Sequence, residues 1–167
     1  MFTFYKKHNN KLYNKLIELS RNKFFYEDIK LSDNFETRVL LIFFHLAILL
    51  KIAKSDKYKK RSQKVFDSIF LNIEYHIREL GYGDTAINTK MKTLNKIFYD
   101  ILINLEKDRD SFFNKDSDLL KKYFFVENNN EGKKSLKLAE YLTKFQNFCF
   151  DLDVNIMLNG SIDFKYR

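Results

Sequence analysis

The sequence has no proline, no tryptophan, a single cysteine and four glycines in 167 residues. A chain so poor in turn-forming residues cannot supply the many hairpins of a β-sandwich or β-barrel, so an all-β fold is excluded. The lone Cys149 rules out an internal disulfide framework and any multi-cysteine zinc site, and it fits a reducing compartment. Residues 1–10 show neither the apolar stretch of a signal peptide nor the Arg- and Ser-rich pattern of a transit peptide. Long hydrophobic runs are missing too. The longest, Val39–Leu50, is interrupted by His45 and bounded by Arg38 and Lys51. As a helix it spans about 18 Å against a hydrocarbon core of about 30 Å, so it predicts a buried core helix rather than a membrane span.

What is present is apolar and basic. Hydrophobic residues make up 45% of the chain and aromatic ones 17%, with 18 Phe and 10 Tyr, which excludes an intrinsically disordered tail. The length fits one domain over residues 1–167, able to bury roughly 70% of its unfolded surface without a disulfide or metal. Apolar residues recur at helical spacing. Val65, Phe66, Ile69, Phe70, Ile73, Ile77 and Leu80 form one stripe, and Ile87, Met91, Leu94, Phe98, Ile101 and Leu105 another. Asp33 and Glu36 have the capping-box spacing ahead of the apolar run. Gly81 stands where the first stripe ends, and Asp84 is placed to cap the second. Leu12, Leu16 and Leu19 suggest an N-terminal helix. Leu119, Leu120 and Tyr123, then Leu138, Tyr141, Leu142 and Phe145, suggest two more near the C-terminus, with Val126–Lys134 as a surface loop. Together these segments predict an all-α, bundle-like domain of about six helices.

The formal charge is +8, and it is concentrated. Lys51, Lys54, Lys57, Lys59, Lys60, Arg61 and Lys64 crowd just after the apolar run with one acid, Asp56, among them. Lys outnumbers Arg 24 to 6 and Ala appears only four times, a usage typical of AT-rich coding sequence, so the lysine count by itself does not argue function. A basic stretch of this kind is either a solvated loop and helix face or a contact for an anionic surface such as acidic lipid or the ribosome. A small nucleic-acid-binding helical domain is therefore the alternative class. Sequence-specific DNA binding is disfavoured, because Arg is the usual reader of guanine edges and only Tyr58 is interleaved with the lysines.

Catalytic and metal chemistry find little footing. His8, His45 and His76 share no i, i+4 spacing, and His45 reads as a hydrogen-bonded core histidine. Cys149 sits between Phe148 and Phe150 and reads as a small buried hydrophobe rather than a nucleophile. No Walker loop, dinucleotide glycine motif or nucleophile elbow is present. The carboxylate pairs Asp108/Asp110 and Asp116/Asp118 lie in polar stretches and are expected to cap helices. The sequence predicts no enzyme and no cofactor.

The segment Arg78-Glu79-Leu80-Gly81-Tyr82-Gly83-Asp84 resembles the signature of the ubiquinol–cytochrome c chaperone family, assembly factors for cytochrome b of the respiratory bc1 complex. Gln63, Phe66 and Asp67 match that family's Gln-x-x-Phe-Asp, and Lys90, Met91, Lys92, Phe98 and Tyr99 its Lys-rich helix ending in Phe-Tyr. Asp33, Arg38 and His45 upstream are similar to its approach to the central helix. Ala139-Glu140-Tyr141 and Gly160-Ser161-Ile162-Asp163-Phe164 are similar to its C-terminal half. The chain departs from the pattern at Asp100, where the family usually has Gly, and at Asn72, where it often has an acid. In physical terms the signature is a helix–turn–helix corner, with Gly81 and Gly83 in the reversal. Arg78 and Glu79 either brace it or contact a client.

The resemblance implies a non-enzymatic chaperone that binds newly made cytochrome b and promotes assembly of the bc1 complex. It leaves open a small partner subunit and a dock on the ribosome or an anionic membrane. With no transit peptide, the chain fits a bacterial member in the cytoplasm, peripheral on the cytoplasmic face of the inner membrane.

Overall fold

The computed structural model describes residues 10–107, 118–126 and 132–166. Within them lie seven α-helices: α1 (Lys11–Ser20), α2 (Phe35–Ile52), α3 (Lys59–Glu79), α4 (Asp84–Lys107), α5 (Asp118–Phe124), α6 (Gly132–Phe150) and α7 (Val154–Leu158). A π-helical turn, Phe24–Asp28, joins α1 to α2, and a 3-10 turn, Asp56–Tyr58, leads into α3. The all-α expectation holds, with one helix more than the periodicity suggests. The added helix is α7, whose five residues are too few to show a stripe.

The apolar run becomes the hub. Val39 and every residue from Leu41 to Leu49 are buried, and a helix apolar all round must be covered all round. Helices α1, α4, α6 and α7 pack against α2, while α3 packs on α4 and α5 on α6. No helix among the described residues is long and apolar enough to cross a membrane.

Local chemistry sets the ends. The N-cap of α2 is Asn34, whose side chain accepts the Thr37 amide at 2.8 Å, and not Asp33 as the capping-box spacing suggested. Asp33 is held outside the helix by the Arg38 guanidinium, 2.6 Å away. Asn10 caps α1 through the Tyr13 amide at 2.9 Å and donates to Ser68 Oγ at 2.5 Å, which pins α1 to α3. The π turn carries two adjacent rings inward, Phe24 against Tyr166 and Phe25 against Tyr141, both with ring centres 4.7 Å apart. Residues 132–134 of the expected loop at Val126–Lys134 are helical instead, because α6 already begins at Gly132. Residues 127–131, His8, Asp108, Asp110 and Asp116 lie outside the described residues. Asp118 stands in the first turn of α5, where a carboxylate meets the positive end of the helix dipole.

Candidate functional site

Helices α3 and α4 meet at the corner Leu80–Gly83, where Arg78, Glu79, Gly81, Tyr82, Gly83 and Asp84 gather. Gly81 has φ +94° and donates its amide to the Arg78 carbonyl at 3.0 Å, so it takes the left-handed position after α3 as expected. Gly83 and Asp84 differ from the reading of the sequence. The Gly83 carbonyl accepts the Ile87 amide at 3.0 Å, which puts Gly83 in the cap position and Asp84 inside the first turn. Gly83 has no positive φ, and a Cβ there meets nothing within 4 Å, so the reversal rests on Gly81. The Asp84 carboxylate instead receives Arg78 at 2.5 Å, and the same guanidinium reaches Glu74 at 3.3 Å. These hydrogen bonds, Asp84 first and Glu74 second, raise the Arg78 pKa further. Arg78 therefore ties the last turn of α3 to the first turn of α4. Glu79 is exposed and makes no ion pair among the described residues. Tyr82 is also exposed, with the Lys90 ammonium 4.5 Å from its ring centre.

About four helical turns away, the other signature residues form an aromatic seam between α3 and α4. Phe66 stacks on Phe70 at 4.4 Å and meets Phe98 at 5.3 Å and Tyr99 at 5.7 Å. Phe43 of α2 closes the inner end against Phe70 at 5.3 Å and Phe98 at 5.4 Å. Phe98 is fully buried, Phe66 half-buried, and Tyr99 is 47% exposed. Ile103, one turn beyond Tyr99, is 49% exposed, and Lys92, two turns before it, is exposed too. The seam thus runs from the core to a mixed apolar and basic strip on α4. Asp67 lies beside it on α3, exposed, and accepts the Gln63 amide at 2.9 Å.

The two departures have local reasons. Asn72 is buried and donates to the Ser68 carbonyl at 2.7 Å, where a carboxylate would be desolvated and repelled by that oxygen. Asp100 accepts Lys122 at 2.7 Å, the Tyr123 hydroxyl, and Asn104 at 3.1 Å, and so clamps α5 to α4. The Lys122 and Tyr123 hydrogen bonds hold its carboxyl below the usual range.

The more distant motif residues also pair. His45 is fully buried on α2; its Nδ1 donates to the Leu41 carbonyl at 2.6 Å, which leaves Nε2 to accept the Tyr141 hydroxyl at 2.9 Å. Burial lowers the imidazole pKa to about 4 and raises that of the Tyr141 phenol. Cys149 is buried and free, and burial pushes its thiol up to about 12, which keeps it protonated. Gly160 has φ +87°, and a Cβ there would stand 2.7 Å from the Leu12 nitrogen. Among the described residues no group of three His, Cys, Asp or Glu side chains converges on a common point.

The basic stretch divides in two. Lys51 donates to the Leu105 carbonyl near the end of α4, and Arg61 to the Asn155 side chain and, at 3.1 Å, to its carbonyl. Lys54, Lys57, Lys59, Lys60 and Lys64 are exposed and form no ion pair with any described carboxylate. Two exposed apolar residues stand near the C-terminal end of the described fold. Phe150 ends α6 with 72% of its surface exposed, and Ile156 on α7 is 50% exposed.

The chain is similar in fold to the crystal structure of the Cbp3 homolog from Brucella abortus, with a TM-score of 0.73 and 18% sequence identity over 93% of this chain and 87% of that one. No curated protein sequence matches. The family model described as ubiquinol-cytochrome C chaperone matches residues 27–164, a span that holds the hub helix, the α3–α4 corner, the aromatic seam and Gly160. The chain therefore belongs to the ubiquinol–cytochrome C chaperone family.

Proposed function

We propose that this chain is a non-enzymatic assembly chaperone that holds newly made cytochrome b for the bc1 complex, with the outer end of the α3–α4 seam as its client contact. The observation that carries this reading is the division of labour among the signature residues. Arg78, Asp84, Gly81, Phe66 and Phe98 are occupied in fastening the corner and the seam. Tyr99, Tyr82, Lys92, Glu79 and Asp67 are left exposed around them, and Ile103, outside the signature, is exposed one turn beyond Tyr99. Tyr99 and Ile103 offer an apolar strip to a membrane-protein segment awaiting its partners, and exposed apolar patches rimmed by charge mark such contacts. The chain works on this reading at the cytoplasmic face of the membrane.

The test replaces Tyr99 and Ile103 by Ser in a tagged chain expressed in a strain lacking the native gene. Both side chains are half exposed, so the folded state should persist, as thermal unfolding will show. Cytochrome b is expected to co-purify with the parent and not with the variant, and the haem-b absorbance of the bc1 complex should fall with it. Normal bc1 assembly in the deletion strain would refute the reading. Recovery of nucleic acid without cytochrome b would favour a nucleic-acid-binding domain instead.

A further inference from the structure

We infer that Phe150, Ile156 and the free lysines of the Lys51–Lys64 stretch form one face that docks on a bilayer containing anionic lipid. Three observations converge on it. Phe150 lines one groove together with Lys51, Lys54 and Asp56, and Arg61 of the same basic stretch holds Asn155, the residue before the exposed Ile156. The five lysines meet no described carboxylate, and Lys57 meets only the Tyr58 ring at 5.3 Å, so their charge is available to an external anion. Lys51 and Arg61 are engaged by the fold, through the Leu105 carbonyl and Asn155, and so fasten the stretch to α4 and α7.

The acids on this face are few. Asp56 lies within the stretch, and Asp151 and Asp153 lie between Phe150 and Ile156. The Asp153 carboxylate is taken up by the amides of Asn155 and Ile156 at 2.9 and 3.2 Å. Apolar side chains that enter the headgroup layer, ringed by lysines that meet lipid phosphates, are the physical requirement for reversible membrane docking. Single-stranded RNA would use the lysines but would leave an exposed aliphatic side chain such as Ile156 without a role, since RNA grooves rely on stacking rings.

The inference does not depend on the identity of the client, because it is tested on the purified full chain alone. Vesicles of phosphatidylcholine with about one-third phosphatidylglycerol should sediment the protein, and vesicles of phosphatidylcholine alone should not. Replacing Lys54, Lys57 and Lys60 by Gln should weaken partitioning by about fivefold for each lysine. The double variant Phe150→Ser, Ile156→Ser should weaken it by at least about tenfold with an unchanged thermal midpoint, as both side chains are already exposed. Equal binding by the double variant and the parent overturns the inference. So does binding of single-stranded RNA in the absence of any vesicle binding.

Discussion

Acidification from pH 7 to pH 5 should destabilise this protein through one side chain at its centre. His45 is fully buried with its pKa lowered from 6.5 to about 4, because burial disfavours the charged imidazolium more strongly than the Leu41 carbonyl favours it. The unfolded chain takes up a proton below pH 6.5, while the folded chain refuses it until about pH 4. Protons in that window therefore bind the unfolded state. The contribution of the neutral imidazole is complete above pH 6.5 and is lost as the pH falls towards 4. Between pH 7 and pH 5 the loss comes to about 2 kcal/mol, a large share of a typical domain's stability. Urea unfolding at the two pH values measures it. The control is the double variant His45→Phe, Tyr141→Phe, because either change alone leaves a buried polar atom without its partner at a cost of about 1–3 kcal/mol. With both rings apolar, the Leu41 carbonyl can still serve the α2 backbone, and the pH-dependent loss should shrink to that of the surface carboxylates. If parent and double variant lose the same stability over this interval, His45 is not the group responsible.

Two further outcomes follow from the geometry. Ala at Gly81, which has φ +94° but open space, should cost about 1–2 kcal/mol. Ala at Gly160 adds overlap with the Leu12 backbone and should cost about 3–4 kcal/mol, while Ala at Gly83, unstrained but poorer than Gly at an N-cap, should cost about 0.5–1 kcal/mol. A shift in urea midpoint at constant slope reads this series, and equal costs at Gly81 and Gly160 would show that the α1 backbone yields easily. Separately, Asp100→Ala should release α5 from α4, accelerating amide exchange in Asp118–Phe124 by roughly tenfold with little change in global stability; unchanged exchange would mean α6 alone holds that helix.

Much of this was legible in the sequence, and the limits are physical. The hub helix, the two stripes, the core roles of His45 and Cys149, and the left-handed Gly81 all follow from patterns that repeat locally or have one stereochemical solution. The cap of α2 was displaced by one residue because Asp33 and Asn34 are both competent, and only the folded position of Arg38 decides between them. Asp84 was read as a cap for a similar reason: its carboxylate chose a guanidinium six residues back over a backbone amide. The π turn at Phe24–Asp28 has no helical stripe, since both rings are drawn inward by Tyr141 and Tyr166 from the far end of the chain. Phe150 is the plainest miss. Its neighbour Cys149 is buried, and nothing local to Phe148–Phe150 says which of the three faces water.

The contact of Gly160 with the start of α1 bears on how the chain is made. Lys11 and Ser161, hydrogen-bonded at 2.8 Å, are 150 residues apart, so α1 finds its seat only after the segment that follows α7 has been translated. Until then α2, apolar on every side, lacks α6 and α7 as cover. Long-range closure of this kind slows folding and lengthens the interval in which bare apolar surface can aggregate. A member of a chaperone family thus emerges with its own most apolar helix incompletely shielded, and its yield in the cell should depend on the speed of synthesis as well as on final stability.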